Sequence, residues 1–146
     1  MDLTKEYPRS VHEKLHGLTQ IARTWDKGKA VASGNIGDYH YDCPMDKHVF
    51  QFLGMDHEAF LNEIKTKSPD EVDGYIKSFV DKKSPEEIEQ FNREWVLSKP
   101  SNADSQKYFD DLRAQVAPDR TDVTAWADLL DLDEKRTVPK REPVNA

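Results

Sequence analysis

The sequence predicts a mainly α-helical single domain. Three observations carry that expectation. Apolar residues recur at helical spacing through most of the chain, N-cap and capping-box signatures punctuate it at intervals, and only residues 38–43 alternate with the period of a strand. The 146 residues suit one domain of ordinary size. A chain of this length buries roughly 68–70% of its unfolded surface, so it needs neither metal nor disulfide to fold. With 36% hydrophobic and 34% charged residues and a mean hydropathy of -0.86, the composition is polar. Three tryptophans, five tyrosines and six phenylalanines still supply a core.

The elements follow in order. Ser10 with Glu13 forms a capping-box pattern, and Val11, Leu15, Leu18, Ala22 and Trp25 share one stripe beside Ile21. A first helix is therefore expected to run from this cap to about residue 32 and to stop near Ser33 and Gly34. Asp38, His40 and Asp42 then alternate with Tyr39, Tyr41 and Cys43, which suggests a short strand. Paired with 29–33 across Gly34 and Gly37, it would form a small β-hairpin near residues 29–43 and shorten the first helix. Two short helices are expected next, with Asp46 and Asp56 as N-caps, Met45 stapled to Phe50, and Met55 to Phe60. Gly54 between them reads as a C-cap.

An internal near-repeat occupies 68–99: SPDEVDGYIKSFVDKK aligns without a gap on SPEEIEQFNREWVLSK. Both copies open with Ser at the N-cap, Pro at N1 and Glu at N3, and Val72, Tyr75, Phe79 and Val80 match Ile88, Phe91, Trp95 and Val96. This predicts a helical hairpin, with too few copies for a solenoid. Ser101 with Asp104 opens a sixth helix on the stripe Tyr108, Phe109, Leu112 and Val116, ended by Ala117-Pro118. Thr121 or Asp122 caps a seventh, carrying Val123, Trp126, Leu129 and Leu130. The expectation is a compact domain of six or seven short helices over 1–134, followed by a disordered basic tail at 135–146.

Several segments together resemble a known family. DLTKEYPRS with HEKLHGL, then GDYHYDCPMD, then APDRTDVTAWADLLDLDE, are similar to a bacterial family catalogued as domain of unknown function 5069. The resemblance spans about residues 2–134 and implies a small, soluble, self-contained bacterial domain with no assigned reaction. Tyr39, Tyr41, Cys43, Pro44 and Asp46 match its middle motif, and Arg120, Thr121, Asp122, Trp126 and Asp128 its last. His40, His48 and His57 fall outside those patterns.

Charge narrows the function classes. The net charge is -7, and it is concentrated in 101–134, while the tail is basic. A protein that neutralises nucleic-acid phosphates needs a concentrated basic face, and the chain supplies none. No apolar run reaches the roughly 18 residues of a membrane span, and the start MDLTKEYPRS lacks the apolar core of a signal peptide. The single cysteine, Cys43, excludes an internal disulfide and fits a reducing, cytoplasmic setting. Nucleic-acid and membrane partners are not expected, and no cofactor is implied.

The candidate chemistry is sparse. Cys43 precedes Pro44 at a helix start, where free amides favour a thiolate, and His40 three residues earlier would be the base, with Asp46 as a helper. On a strand, however, His40 and Cys43 point to opposite faces, and a cysteine beside two tyrosines is ordinarily core filler. A metal set from His40, Cys43, His48 and His57 lacks paired CxxC or HExxH spacing, so no metal is assigned. His12 and His16 would share a solvated helix face. The carboxylates of Asp128, Asp131, Asp133 and Glu134 crowd the last helix without a calcium-loop pattern and read as solubilising charge. Arg120, Thr121 and Asp122 before Trp126 form either an anion-binding corner or a structural cap tied by an Arg–Asp pair. No phosphate-binding glycine loop or serine elbow is present.

The reading that follows is a ligand-binding or protein-interaction domain without catalytic activity. Its expected surface joins the DYHYDCPMD segment to the Arg120–Trp126 corner, with Tyr39, Tyr41, Arg120 and Trp126 contacting a small ligand or a protein. The alternative is a thiol-dependent enzyme or redox sensor using Cys43 with His40 and Asp46. A third reading, an adaptor, requires Tyr75, Phe91 or Trp95 to be exposed on the 68–99 hairpin. A homodimer is compatible with all three.

Overall fold

The computed structural model describes residues 1–141, and they form seven α-helices. These are α1 (Ile21–Ala32), α2 (Pro44–Leu53), α3 (His57–Thr66), α4 (Pro69–Val80), α5 (Pro85–Val96), α6 (Ala103–Val116) and α7 (Trp126–Asp133). The fold is mainly α, as the periodicity predicts. Among the described residues the only β-type pairing is an isolated bridge between Leu15 and Leu18.

The near-repeat forms as its signatures require. Ser68 accepts from the Glu71 amide while Glu71 accepts from the Ser68 amide, and Ser84 and Glu87 do the same one repeat later. The Asp56 carboxylate caps α3 by accepting from the Ala59 amide, and Gly54 ends α2 with φ 69, a left-handed conformation that favours glycine.

Four starts differ from expectation. The first helix begins at Ile21 rather than near Ser10, because His16 and Gly17 both take positive φ (52 and 83). They are the centre of a tight reversal in which Leu15 and Leu18 exchange both backbone hydrogen bonds, at 2.9 and 3.0 Å. Two positive-φ residues in a row are what a two-residue reversal between such a pair demands. Helix α2 is capped by Cys43, with Pro44 at N1, and Asp46 sits at N3, where its carboxylate accepts from the Cys43 amide at 3.3 Å. Helix α6 is capped by Asn102, whose side chain accepts from the Ser105 amide. Helix α7 starts after Ala125, since Asp122 is engaged by arginines instead of an amide cap. The strand and hairpin near 29–43 do not form. Helix α1 runs on to Ala32, and Asp42, at φ 60, breaks any extended run.

By packing, the chain divides into two compact units, Met1–Asn92 and Arg93–Ala146, the division falling within α5. In the first unit α1 packs on α2 and α3, and α3 on α4. Every residue of α1 from Ile21 to Gly28 is buried, polar ones included. Phe50 meets Phe60 edge-on at 6.0 Å, and Phe60 stacks on Tyr75 at 6.2 Å. In the second unit α6 packs on α7 around Phe109, Val123, Leu129 and Val138.

The described part of the expected basic tail, 135–141, contributes Val138 to the core of the second unit. Over 135–141 the chain is fastened to its unit, because Val138 is an apolar plug and Arg141 reaches back to a buried carboxylate. Residues 142–146 of the expected tail lie outside the described residues.

Candidate functional site

In the first unit, the chemistry gathers on the polar side of α1. Asp46, Thr24 and Gln20 are fully buried, and Lys27 is 4% exposed. Lys27 Nζ lies 2.7 Å from Asp46 Oδ2. The other carboxylate oxygen, Oδ1, accepts from Thr24 Oγ1 at 2.6 Å and from Gln20 Nε2 at 3.2 Å. Lys27 Nζ also donates to Cys43 Sγ at 3.2 Å. A buried ion pair is tolerated when its remaining donors and acceptors are occupied, and here they are.

A second buried carboxylate, Asp26, accepts from the Arg9 backbone amide at 2.8 Å and from the Arg9 guanidinium through Nε and Nη2, both at 3.0 Å. Arg23 returns a bond to the Arg9 carbonyl and lies under the Tyr39 ring at 5.7 Å. Segments 1–20 and 33–43 have no helix or sheet ladder to occupy their amides and carbonyls. Polar residues of α1 take that role at Arg9, where Asp26 accepts from the amide and Arg23 donates to the carbonyl.

Tyr41 closes this region. Its hydroxyl donates to the His57 carbonyl at 2.7 Å, and its ring lies edge-on to Phe50. Burial first, then the neighbouring carboxylates of Asp46, Asp42 and Asp56, push its ionisation well above the usual tyrosine range. Gly28 lets α3 and Tyr41 approach α1: a Cβ there would stand 2.5 Å from Ile64 Cδ1 and 3.4 Å from Tyr41 Cε1.

An open cleft of about 530 Å³ lies at the α4–α5 turn of the same unit. Its walls carry the cations of Lys14 and Lys83, the carboxylates of Asp81 and Glu89, and the apolar side chains of Val80 and Ile88. Asn92 holds the 14–19 loop that forms one wall. It accepts from the Thr19 amide and hydroxyl, both at 2.9 Å, and donates to the Gly17 carbonyl at 2.7 Å. His16 Nε2, 3.0 Å from Asp73 Oδ1, ties the loop to α4.

In the second unit, Arg120 grips Asp122 through Nε and Nη2, both at 3.0 Å, and donates to the carbonyls of Val138 and Pro139 at 2.9 Å. The Arg141 amide bonds Asp122, and its guanidinium is bidentate to buried Asp128 at 2.9 Å. The Arg120 guanidinium and the Arg141 amide hold the Asp122 carboxyl well below the usual range. Trp126 packs edge-on to Phe109 at 5.1 Å.

The predicted site residues are thus distributed as follows. Tyr39, Tyr41, Cys43 and Asp46 lie together in the first unit, and Arg120 and Trp126 belong to the second. His40 is exposed, whereas the group beside the Cys43 sulfur is Lys27. His12 and His16 do not share a helix face, because residues 11–20 are not helical. Of the adaptor residues, Phe91 is buried, stacked on Phe52 at 4.5 Å, and Tyr75 and Trp95 are half-buried. Among the described residues, no group of three histidine, cysteine or carboxylate side chains converges to hold a metal ion. No helix among them is long and apolar enough to cross a membrane.

Sequence reasoning missed Lys27, Thr24 and Gln20, and the cleft altogether. The signal for the first three was a polar face, Arg23, Thr24, Asp26 and Lys27, on a helix otherwise marked for the core. The cleft has no linear signature, since its walls come from residues 14–17 and 80–92.

No curated protein matches the chain. The model of the family described as domain of unknown function (DUF5069) matches residues 5–136. Since that match covers most of the chain, including the buried α1 network and the Arg120–Asp122 clasp, the protein belongs to the DUF5069 family.

Proposed function

We propose that the protein is a ligand-binding or protein-interaction domain, and that its first unit receives the ligand in the cleft at the α4–α5 turn. The observation that carries this reading is the cleft's mixed lining: two lysines, two carboxylates and the apolar Val80 and Ile88. A pocket for an apolar cofactor is enclosed and mostly hydrophobic. An open cleft with both charge signs and apolar side chains in its lining suits a short peptide-like ligand, whose own ends and side chains carry both charges.

The test is a thermal-shift series with tripeptides that carry one basic, one acidic and one apolar side chain. The expected result is a Tm rise for the wild type that disappears in Ile88→Glu and Lys83→Glu. An equal rise in wild type and variants places the ligand elsewhere. Amide shifts confined to Tyr39 and Tyr41, or to Arg120 and Trp126, would move it to those residues. No rise with any peptide removes the proposal's support.

A second reading, redox sensing by Cys43, is favoured by one observation: Lys27 Nζ donates to the sulfur at 3.2 Å. An ammonium in contact with the sulfur stands beside the departing oxygen, on which negative charge develops as the sulfur attacks a peroxide and the O–O bond breaks.

A further inference from the structure

We infer that Cys43 and Lys27 form an oxidation-dependent covalent bond, a sulfur–nitrogen link that fastens α1 to the N-terminus of α2. The inference rests on the redox reading of Cys43 and is independent of the cleft. Three groups stand in the required order. Cys43 Sγ, on a half-buried residue, is 3.2 Å from Lys27 Nζ, and Lys27 Nζ is 2.7 Å from Asp46 Oδ2. The amine is 4% exposed, so it is held against the sulfur rather than sampling solvent.

The chemistry closes with a hydroperoxide as oxidant. The Cys43 thiol attacks the hydroperoxide: an S–O bond forms as the O–O bond breaks, the sulfur keeps the hydroxyl as sulfenic acid, and the thiol proton passes to the other oxygen, which leaves as an alcohol or water. The Lys27 ammonium passes one proton to Asp46 Oδ2, and the freed amine lone pair attacks the sulfenic sulfur. The S–O bond breaks and the hydroxyl leaves as water with a second amine proton. The product is Cys43–S–NH–Lys27 beside a protonated Asp46. A sulfenic acid condenses with a neighbouring nitrogen or thiol when one is in reach. Here the chain has a single cysteine, and the nitrogen in contact is Lys27. The buried charge stays balanced, because the lysine cation and the aspartate anion vanish together. Thr24 and Gln20 still have a carboxyl oxygen to donate to.

The experiment treats the native full-length protein with hydrogen peroxide, then reads intact mass and a tryptic map without reductant. The expected result is a mass lower by two hydrogens, loss of tryptic cleavage after Lys27, and one species joining the peptides that contain Lys27 and Cys43. A thiol reductant restores both peptides. Lys27→Arg abolishes the joined species, and Cys43→Ser does so without disturbing the buried pair. A Cys43 sulfenic acid trapped by dimedone with Lys27 still cleavable overturns the bond but leaves the redox reading standing. No oxidation of Cys43 in the folded protein overturns both. A mass one oxygen higher in the joined species, or a disulfide between two chains, overturns the sulfur–nitrogen assignment.

Discussion

At the scale of single residues, Asp46 ties the start of α2 to the buried polar side of α1. Its two oxygens serve Lys27, Thr24, Gln20 and the Cys43 amide. Asp46→Ala leaves a buried ammonium without its counter-charge and takes from Thr24 and Gln20 the carboxylate oxygen they share. The expected loss is about 3–5 kcal/mol, read from the urea midpoint. Lys27→Met with Asp46→Leu removes both charges, and the pair is expected to cost much less than the two single changes together. Tyr41 gives the alkaline counterpart. Its neutral form is favoured by burial, so its ionisation is raised above the ordinary 10.0. A group raised in the folded state stabilises the fold fully below its unfolded value, and that contribution is lost as pH rises beyond it. Ultraviolet titration should show a late phase from Tyr41, and a smaller delay for Tyr75, both ionising above the ordinary 10.0. Tyr41→Phe should remove the late phase and cost about 0.5–1.5 kcal/mol for the bond to His57.

Among the elements, the starts of α4 and α5 are the places where local sequence and structure agree most closely. Ser68→Ala and Ser84→Ala each remove a cap and should cost about 1 kcal/mol. The Ser68 and Ser84 amides, with their hydroxyls second, hold Glu71 and Glu87 below the ordinary 4.5. Groups lowered in the folded state stabilise it above their unfolded value, and the contribution fades as pH falls through the folded value. Denaturation midpoints of Glu71→Gln and Glu87→Gln should therefore lie closest to the wild type in acid and furthest from it near neutrality. Helix α1 shows the opposite relation between element and sequence. Its start depends on Gln20 at φ 72 and on the His16–Gly17 reversal. A capping-box pattern at Ser10 and Glu13 competes with neither, because the same residues also fit the turn in which Glu13 N bonds Ser10 O.

For the whole molecule, the division into two compact units carries its own expectation. Residues 137–141 contribute Val138 to the core of the second unit and Arg141 to Asp128. Ending the chain at Arg136 removes an apolar side chain whose burial is worth roughly 1.5–3 kcal/mol and leaves Asp128 without its guanidinium. Hydrogen exchange should rise through α6 and α7 while amides of α1 to α4 keep their protection, as separate cooperative units require. Equal deprotection of both units would show that they open as one. At low pH, protonation of Asp122 loosens the same clasp, since its carboxyl is lowered by Arg120 first and the Arg141 amide second. The stabilisation is complete above the ordinary 3.8 and is lost only in strong acid.

The sequence by itself determined the helical class, helices α4 and α5 with both their caps, the ends at Gly54 and Ala117, and the grouping of Tyr39, Tyr41, Cys43 and Asp46. Each of these rests on residues within about a turn of one another, where capping, proline and periodicity act directly. Tertiary structure alone decided where α1 begins, that Arg23, Asp26 and Lys27 face inward, that Lys27 rather than His40 meets Cys43, and that Val138 is core. Those outcomes join residues 14 or more positions apart. One cause is the need of irregular segments, which have no ladder of their own, to place amides and carbonyls such as those of Arg9 against a distant partner.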